Sequence, residues 1–379
     1  MKYLRPSAPL LAALALVLVI SGCGSSSDPS GDAVAVKISD AGCEPANLDL
    51  TAGAKNFEIE TTGSGKVTEY EVLDGTRILA ERENLTPGVT GKFSVNLPAG
   101  EYTSYCPNGT SSEYGKITVT GDGGSTSIAG ASTNVKQASA GYSKYVESQT
   151  NELVKRTAAF TAAIKAGDTA QAKKLFATTR EPYEAIEPVA ESFGDLDPRI
   201  DARENDVAEG DKWTGFHRIE KTLWQDNTTK GLSSYADQLT DDVKELQTKA
   251  KGLTYQPAEI ANGSTGLLDE VSKSKITGEE DRYSHTDLYD FAANVDGSQT
   301  AFKLLAPAVA ENDPDLVSQI NARYDDVDKA LLKYRTTNGN GFVLYTDLTP
   351  ADTKALSQKI DALAEPLSKV ASQVVSTNK

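Results

Sequence analysis

The two histidines of the chain lie in its C-terminal half, each near acidic residues. His217 precedes Glu220 by three positions in segment 213–224, so a helix there presents the imidazole and the carboxylate on one face. Helical bundles build metal sites from such pairs. Imidazole with carboxylates suits iron, manganese or zinc better than copper(I). We therefore expect His217 and Glu220 to bind a metal ion; a solvated ion pair without a ligand is the alternative.

Three acidic groups accompany this pair along the sequence. Glu184 and Glu187 repeat the three-residue spacing within segment 181–188, and acidic residues crowd the connecting stretch 195–206. A third acidic run, at 278–285, ends at the second histidine. Because carboxylates are the oxygen donors that hard cations prefer, these groups strengthen the prediction of a metal site.

The N-terminus has the pattern of a targeting segment. Residues 1–22 combine two basic residues with an apolar run that is too short to span a bilayer, which is typical of a signal peptide. The run ends in Ile-Ser-Gly-Cys23, which resembles the bacterial lipobox, so we expect cleavage before Cys23 and lipidation of its thiol. Residues 23–32 are expected to be a flexible tether. The protein is therefore predicted to be extracytoplasmic and lipid-anchored to the cell membrane, in the periplasm or at the cell surface.

Cys43 and Cys106 remain as one pair of cysteines in an oxidising compartment. A disulfide between them would close a loop of about 60 residues and add ~4 kcal/mol of stability. The alternative is a second metal site in which the thiolates and Glu69 bind copper, iron or zinc. A type 1 copper centre is excluded, because residues 24–130 contain no histidine and no methionine.

Two hydrophobic patterns indicate the elements that must position these residues. Short alternating runs in 33–120 predict an antiparallel β-sandwich, and 121–134 has the composition of a linker. From 135 to 379 the apolar period is that of a helix, which predicts an all-α bundle. Helices are expected from Tyr142 to Gly167, near 169–192, 212–225, 232–251, 281–311 and 314–336, and from Thr349 onward with a kink at Pro366.

The charge of the chain limits its partners. There are 38 Lys and Arg against 54 Asp and Glu, a formal charge of −16 at pH 7. That excess disfavours nucleic acid as a partner and favours cations. Hydrophobic residues make up 39% of the chain, which is enough to build packed cores, so global disorder is excluded.

Several runs of residues resemble known families. The segment Gly-Phe-His-Arg-Ile-Glu at 215–220 resembles the Gly-x-His-x-x-Glu motif of imelysin-like proteins. Longer runs resemble the EfeO family of iron-uptake components: 195–204, 226–231, 278–288 and 291–299 in the bundle, and 43–45, 81–84 and 98–102 in the sandwich. This resemblance extends over residues 33–379, and its long runs make it more specific than the short motif.

The resemblance implies a cupredoxin-like sandwich followed by an imelysin-like bundle. It implies a lipoprotein or periplasmic binding protein of an EfeUOB-type system that captures iron, ferrous or ferric, and passes it to a membrane permease beside a haem peroxidase; Cys23 favours the tethered form, whereas EfeO of Gram-negative bacteria usually has a cleaved signal without a lipid. A binding protein without catalytic residues is therefore expected. The metal-binding residues that the resemblance implies are His217, Glu220, Glu184, Glu187, Asp201 and Glu280.

Two other classes of function are open at this point. Imelysin-like proteins have also been classified as metallopeptidases, but the chain contains no His-Glu-x-x-His motif and no Gly-x-Ser-x-Gly elbow. The other class is a non-catalytic ligand-binding lipoprotein, for example one that binds an acidic polysaccharide. It would need a bridging cation to overcome the negative charge of the chain.

Overall fold

A computed structural model describes residues 33–121, 131–207, 209–337 and 341–376. The predicted signal peptide and tether, with Cys23, lie outside these residues. The strands are β1 (Ala33–Ser39), β2 (Gly42–Glu44), β3 (Leu48–Thr51), β4 (Gly53–Thr61), β5 (Tyr70–Asp74), β6 (Arg77–Arg82), β7 (Thr90–Leu97), β8 (Gly100–Tyr105) and β9 (Tyr114–Thr120). The α-helices are α1 (Thr133–Lys165), α2 (Thr169–Glu184), α3 (Leu196–Asp201), α4 (Gly215–Gln225), α5 (Ser233–Ala250), α6 (Pro257–Lys273), α7 (Asp287–Ala310), α8 (Pro314–Leu331), α9 (Pro350–Leu367) and α10 (Val370–Ser376).

The strands form two sheets, in the orders β2-β1-β4-β7 and β3-β9-β8-β5-β6. Alternation along β1 buries Val34, Val36 and Ile38 in the core between the sheets. The predicted antiparallel arrangement is wrong for two pairs, because β1 runs parallel to β4 and β3 runs parallel to β9. The reason is the path of the chain, which leaves the first sheet after β2, forms β3 in the second, and returns to pair β4 with β1.

A disulfide joins the two sheets. Cys43 lies in β2 and Cys106 directly follows β8, and their sulfur atoms are bonded. Both residues are buried in the core of the sandwich. Of the two arrangements that the sequence left open, a disulfide and a thiolate metal site, the structure therefore contains the disulfide between Cys43 and Cys106.

The helical stripe predicted for the first helix is confirmed, since Val146, Leu153, Phe160 and Ile164 are all buried in α1. The helix begins earlier than Tyr142, because the side chain of Ser132 caps it by accepting a hydrogen bond from the backbone of Val135. At least one end lies within one residue of its predicted position in six further helices, namely α2, α4, α5, α7, α8 and α9. The kink expected at Pro366 is a break, since α9 ends at Leu367 and α10 begins at Val370.

Two predictions for the bundle need correction, and one helix was not predicted. The helix expected over 169–192 ends at Glu184 and is followed by a 3-10 helix at Glu187–Phe193, where Pro188 disfavours a continuous α-helix. The helix expected from 281 begins at Asp287, because backbone N–H groups in the preceding turns bind a side chain of α4. Helix α6 was not predicted, since Gly263, Gly266 and small polar residues interrupt its apolar stripe.

Strand β6 lies against the bundle. Arg77 forms an ion pair of 2.7 Å with Glu259 at the start of α6, and Arg82 pairs with Asp269 on the same helix. The side-chain amide of Asn262 donates a hydrogen bond of 2.7 Å to the carbonyl of Ser94. The edge of the sandwich is therefore attached to α6. Across the ranges described above, no helix has both the length and the apolar character needed to cross a membrane.

Candidate metal centre

His217 and Glu220 lie one turn apart on α4 and are both buried. The glycine of their motif, Gly215, has a φ of 83°, and a Cβ at this position would lie 2.1 Å from the carbonyl oxygen of Ile200. Only glycine therefore lets α4 start against the last residues of α3. This close approach brings His217 beside Asp201, the last residue of α3.

The two nitrogens of His217 face different pairs of carboxylates. Nδ1 lies 3.0 Å from Oε2 of Glu220 and 3.9 Å from Oδ1 of Asp281. Nε2 lies 3.4 Å from Oε1 of Glu280 and 3.7 Å from Oδ1 of Asp201. Within the described residues, Nε2 makes no hydrogen bond of acceptable geometry. We call these five residues the His217 cluster.

Glu220 connects α4 to the turns that precede α7. Its Oε1 accepts hydrogen bonds from the backbone N–H groups of Tyr283, at 3.0 Å, and Ser284, at 2.7 Å. These turns carry Glu280 and Asp281. One oxygen of Glu220 therefore positions the imidazole of His217. The other oxygen positions the turns that carry Glu280 and Asp281.

Two buried cations lie among the carboxylates, and neither was predicted from the sequence. Arg180, on α2, is fully buried. It forms ion pairs with five carboxylates, which we call the carboxylate cage: Glu184, Asp201, Glu280, Asp281 and Asp290. Lys275, after α6, has its Nζ 2.5 Å from Glu187 and 3.3 Å from Glu184. The i,i+4 spacing of Arg180 and Glu184 was the sequence signal that could have revealed the first of these cations.

The structure brings four of the six predicted ligands together. Asp201, His217 and Glu280 form one group of potential ligand atoms within 4.8 Å of one another, and His217, Glu220 and Asp281 form another. Asp281, which the sequence had not singled out, thus joins the predicted set. The two remaining candidates, Glu184 and Glu187, contact Lys275 and accept hydrogen bonds from the amide of Asn294.

Burial and charge act in opposite directions on these groups. Burial and Arg180 both favour neutral His217, but its contacts with Glu220, Glu280 and Asp201 outweigh them and raise its pKa to about 10. Burial alone would raise the pKa of Glu280, yet Lys275 and His217 hold it well below its ordinary value. For Asp281, burial dominates, with repulsion from Glu220, and raises its pKa well above the usual range.

A cavity of about 330 Å³ leads to the His217 cluster from the boundary between sandwich and bundle. Its lining runs from the exposed residues Asn84 and Asp206 to the buried residues Lys275 and Glu280. Ten Asp and Glu residues line it, against three Lys and Arg residues. Such a lining favours the entry of cations over anions.

The sandwich residues considered for a second metal site are arranged differently. Cys43 and Cys106 are joined to each other, and Glu69 makes a hydrogen bond with Glu71. Burial, opposed by that hydrogen bond and assisted by the charge of Glu83, raises the pKa of Glu71 to about 7. Both groups of potential metal ligands found in the described ranges contain His217, so neither lies in the sandwich.

Comparisons with known proteins identify both domains. The imelysin family matches residues 138–370, and the cupredoxin-like domain family matches residues 10–119. The iron uptake system component EfeO of Escherichia coli O157:H7 is 46% identical over 341 residues, which cover 89% of this chain and 90% of the relative. The proteins of the same name from Escherichia coli K12 and Shigella flexneri have the same identity and coverage. Among solved structures, auracyanin B aligns with 24% of this chain and 88% of its own at 16% identity and a TM-score of 0.21.

The match to EfeO extends across both domains of this chain rather than one of them. An identity of 46% over nine-tenths of both sequences leaves no large region without a counterpart. The order of the matched domains is also the order of the strands and helices in the structure. The chain therefore belongs to the EfeO family of iron uptake system components, with a cupredoxin-like domain followed by an imelysin domain.

Proposed function

We propose that this chain is an extracytoplasmic iron-binding lipoprotein that captures iron at His217 and passes it to a membrane permease. The observation that carries this proposal is the group of potential ligand atoms formed by Nε2 of His217 with Asp201 and Glu280, where Nε2 is buried and makes no hydrogen bond of acceptable geometry within the described ranges. An ion that binds there takes the place of the ring proton on Nε2, because a histidine nitrogen must be unprotonated to bind a metal. The name of the relatives, iron uptake system component, supports iron as that ion.

The spacing of the donor atoms fits a single metal ion. Nε2 of His217 lies 3.4 Å from the nearest oxygen of Glu280 and 3.7 Å from that of Asp201. Metal bonds of roughly 2.1 Å to nitrogen and oxygen place two donors of one ion at most about 4.2 Å apart. Both distances fall within that limit. One imidazole nitrogen with carboxylate oxygens is also a donor set suited to iron.

Glu220 has a different role in this proposal. One of its oxygens faces Nδ1 of His217, and the other accepts two backbone hydrogen bonds, so its lone pairs are directed away from Nε2. A carboxylate on the second ring nitrogen of a ligating histidine orients the ring and raises its basicity. We therefore assign Glu220 to positioning His217, and Asp201 and Glu280 to iron. Glu184 and Glu187 form ion pairs with Lys275, which lines the cavity.

The location and partners follow from the N-terminus and the family. In this proposal a lipid on Cys23 holds the protein at the membrane. The permease of an EfeUOB-type system receives the iron, and a haem peroxidase works beside it. The acidic lining of the cavity supports iron as cargo and argues against nucleic acid.

Anaerobic titration with iron(II) tests the capture step. We expect the purified chain to bind iron with a stoichiometry that falls by one in His217→Gln. The matched control is His285→Asn, which replaces the other histidine; His285 belongs to neither group of potential ligands, and asparagine tolerates its φ of 59°. An unchanged stoichiometry in His217→Gln would refute the site.

Two further measurements test the function as a whole. Cells that lack this protein but keep the permease should lose uptake of radioactive iron, and the wild-type chain should restore it while His217→Gln should not. The purified, iron-loaded chain should leave a denatured protein substrate intact. Cleavage that depends on His217 would instead favour the peptidase alternative.

A further inference from the structure

Arg180 lies at the centre of the carboxylate cage, and all three nitrogens of its guanidinium contact carboxylates. Nη1 binds Asp201, Nη2 binds Glu184 and lies 3.4 Å from Glu280, and Nε lies 3.3 Å from Asp290 and 3.7 Å from Asp281. The residue has no exposed surface. A buried guanidinium is stable only where carboxylates compensate its charge, and here five of them surround it.

The oxygens that Arg180 contacts are the oxygens that face Nε2 of His217. Oδ1 of Asp201 binds Nη1 of Arg180 and also lies 3.7 Å from Nε2. Oε1 of Glu280 lies 3.4 Å from Nη2 of Arg180 and 3.4 Å from Nε2. An ion bound between His217, Asp201 and Glu280 would therefore have to take both of its carboxylate oxygens from the guanidinium, or share them with it.

We propose that Arg180 is an internal cation that competes with iron for Asp201 and Glu280 and so keeps iron binding reversible. This inference rests on the proposed function. Without iron, Arg180 holds the two carboxylates together against their mutual repulsion. With iron, the guanidinium and the ion carry like charges next to shared oxygens, which weakens the complex and speeds release of the cargo.

The rest of the carboxylate cage gives Arg180 a place to remain when iron is bound. Glu184 and Asp290 contact Arg180 and belong to neither group of potential ligands around His217. The rings of Phe176 and Phe216 lie 5.9 Å and 5.6 Å from the guanidinium carbon, so cation–π contacts also persist. Arg180 can therefore give up Asp201 and Glu280 without becoming an uncompensated buried charge.

The variant Arg180→Gln removes the competing charge. We expect it to bind iron(II) at least about tenfold more tightly than the wild type and to release it more slowly. Its iron-free form should melt at a lower temperature, because the carboxylates lose their cation. Arg180→Lys keeps the charge and should have an affinity closer to that of the wild type. A merely structural role for Arg180 would weaken iron binding in both variants, so the direction of the change is diagnostic.

A matched control removes a positive charge elsewhere. Arg156 pairs with Glu152 and Glu181, which lie outside the carboxylate cage, so Arg156→Gln should leave the iron affinity unchanged. If Arg180→Gln does not fold, the double variant Arg180→Gln/Asp290→Asn takes its place. It removes one buried carboxyl group together with the guanidinium, and it should bind iron more tightly for the same reason.

The outcomes separate this inference from the proposed function. Iron(II) affinity is measured anaerobically against a competing chelator, on the full chain in every case. Equal or weaker affinity in a folded neutral variant overturns the inference, while the loss of one iron in His217→Gln still supports the function. Failure of the wild type to bind iron at His217 overturns both.

Discussion

Replacing Glu220 with glutamine distinguishes a residue that positions the iron ligand from a ligand itself. The carboxylate of Glu220 serves three donors with two oxygens: Nδ1 of His217 at 3.0 Å, and the backbone N–H groups of Tyr283 and Ser284 at 3.0 and 2.7 Å. A glutamine side chain keeps the shape but has only one acceptor oxygen. This oxygen can accept from the imidazole or from the backbone, but not from both, and the NH2 group can pair with Nδ1 only in the tautomer that places the proton on Nε2.

The magnitude follows from what is left unpaired. A buried donor without its acceptor costs about 1–3 kcal/mol. If the imidazole loses its partner, the orientation of Nε2 is lost; if the backbone loses it, the turns that carry Glu280 move. Either change should weaken iron binding about 10- to 100-fold, which is the usual effect of removing a carboxylate behind a ligating histidine.

Thermal melting under anaerobic conditions makes the effect visible. At an iron(II) concentration 100 times the wild-type dissociation constant, binding should stabilise the wild type by about 2.7 kcal/mol. At that concentration the same relation gives about 0.4–1.4 kcal/mol for Glu220→Gln, and nothing from this site for His217→Gln. His285→Asn should behave as the wild type does.

Two results would refute this reasoning. If Glu220→Gln binds iron as tightly as the wild type, the hydrogen bond to Nδ1 does not position His217 for iron. If it loses the iron as completely as His217→Gln while its helices remain intact by circular dichroism, Glu220 is itself a ligand. The second result would move the ion to the Nδ1 side of the ring, between Glu220 and Asp281.

Three other predictions concern the N-terminus and the sandwich. Cys23→Ser should release the protein from the membrane fraction, since lipid attachment needs the thiol; a variant that still sediments with membranes contradicts the lipobox. Reduction of the Cys43–Cys106 disulfide, with its separation of 63 residues, should lower the free energy of unfolding by roughly 2–5 kcal/mol. Copper(II) or iron(II) should not restore the lost stability. Free thiols in the untreated protein would contradict the disulfide. Glu71→Gln should stabilise the chain by roughly 1–3 kcal/mol at pH 8 but not at pH 4. The folded-state pKa of Glu71, about 7, lies above the ordinary 4.5, so the wild type loses stability as the pH rises from 4.5 through 7 and the buried carboxyl group ionises. An equal gain at both pH values would count against the raised pKa.

Local patterns were sufficient for most of the elements. The buried stripe of α1 and the capped starts of α2, α8 and α9 depend on residues within one or two turns of each other. Helix α6 was missed because its buried face contains small and polar residues that only its packing explains. Gly263 is one of them, since a Cβ there would lie 1.7 Å from the carbonyl oxygen of Pro188.

The parallel strand pairs were missed for a related reason. Alternating burial along β1 and β4 predicts that each is a strand with one face in the core, but it contains no signal for the neighbour or its direction. That choice depends on where β3 lies, which is in the other sheet. Which strands become neighbours, and whether they run parallel, is therefore decided only by the tertiary fold.

The sequence alone determined that His217 and Glu220 share one face of a helix, because three-residue spacing on a helix is a local geometric relation. Only the tertiary structure decided that Nε2 faces Asp201 and Glu280 while Nδ1 faces Glu220. The same holds for Arg180, whose contact with Glu280 spans 100 residues of sequence. Charged groups from distant segments can share a buried site only when packing removes water from all of them at once, and no local pattern in the sequence contains that information.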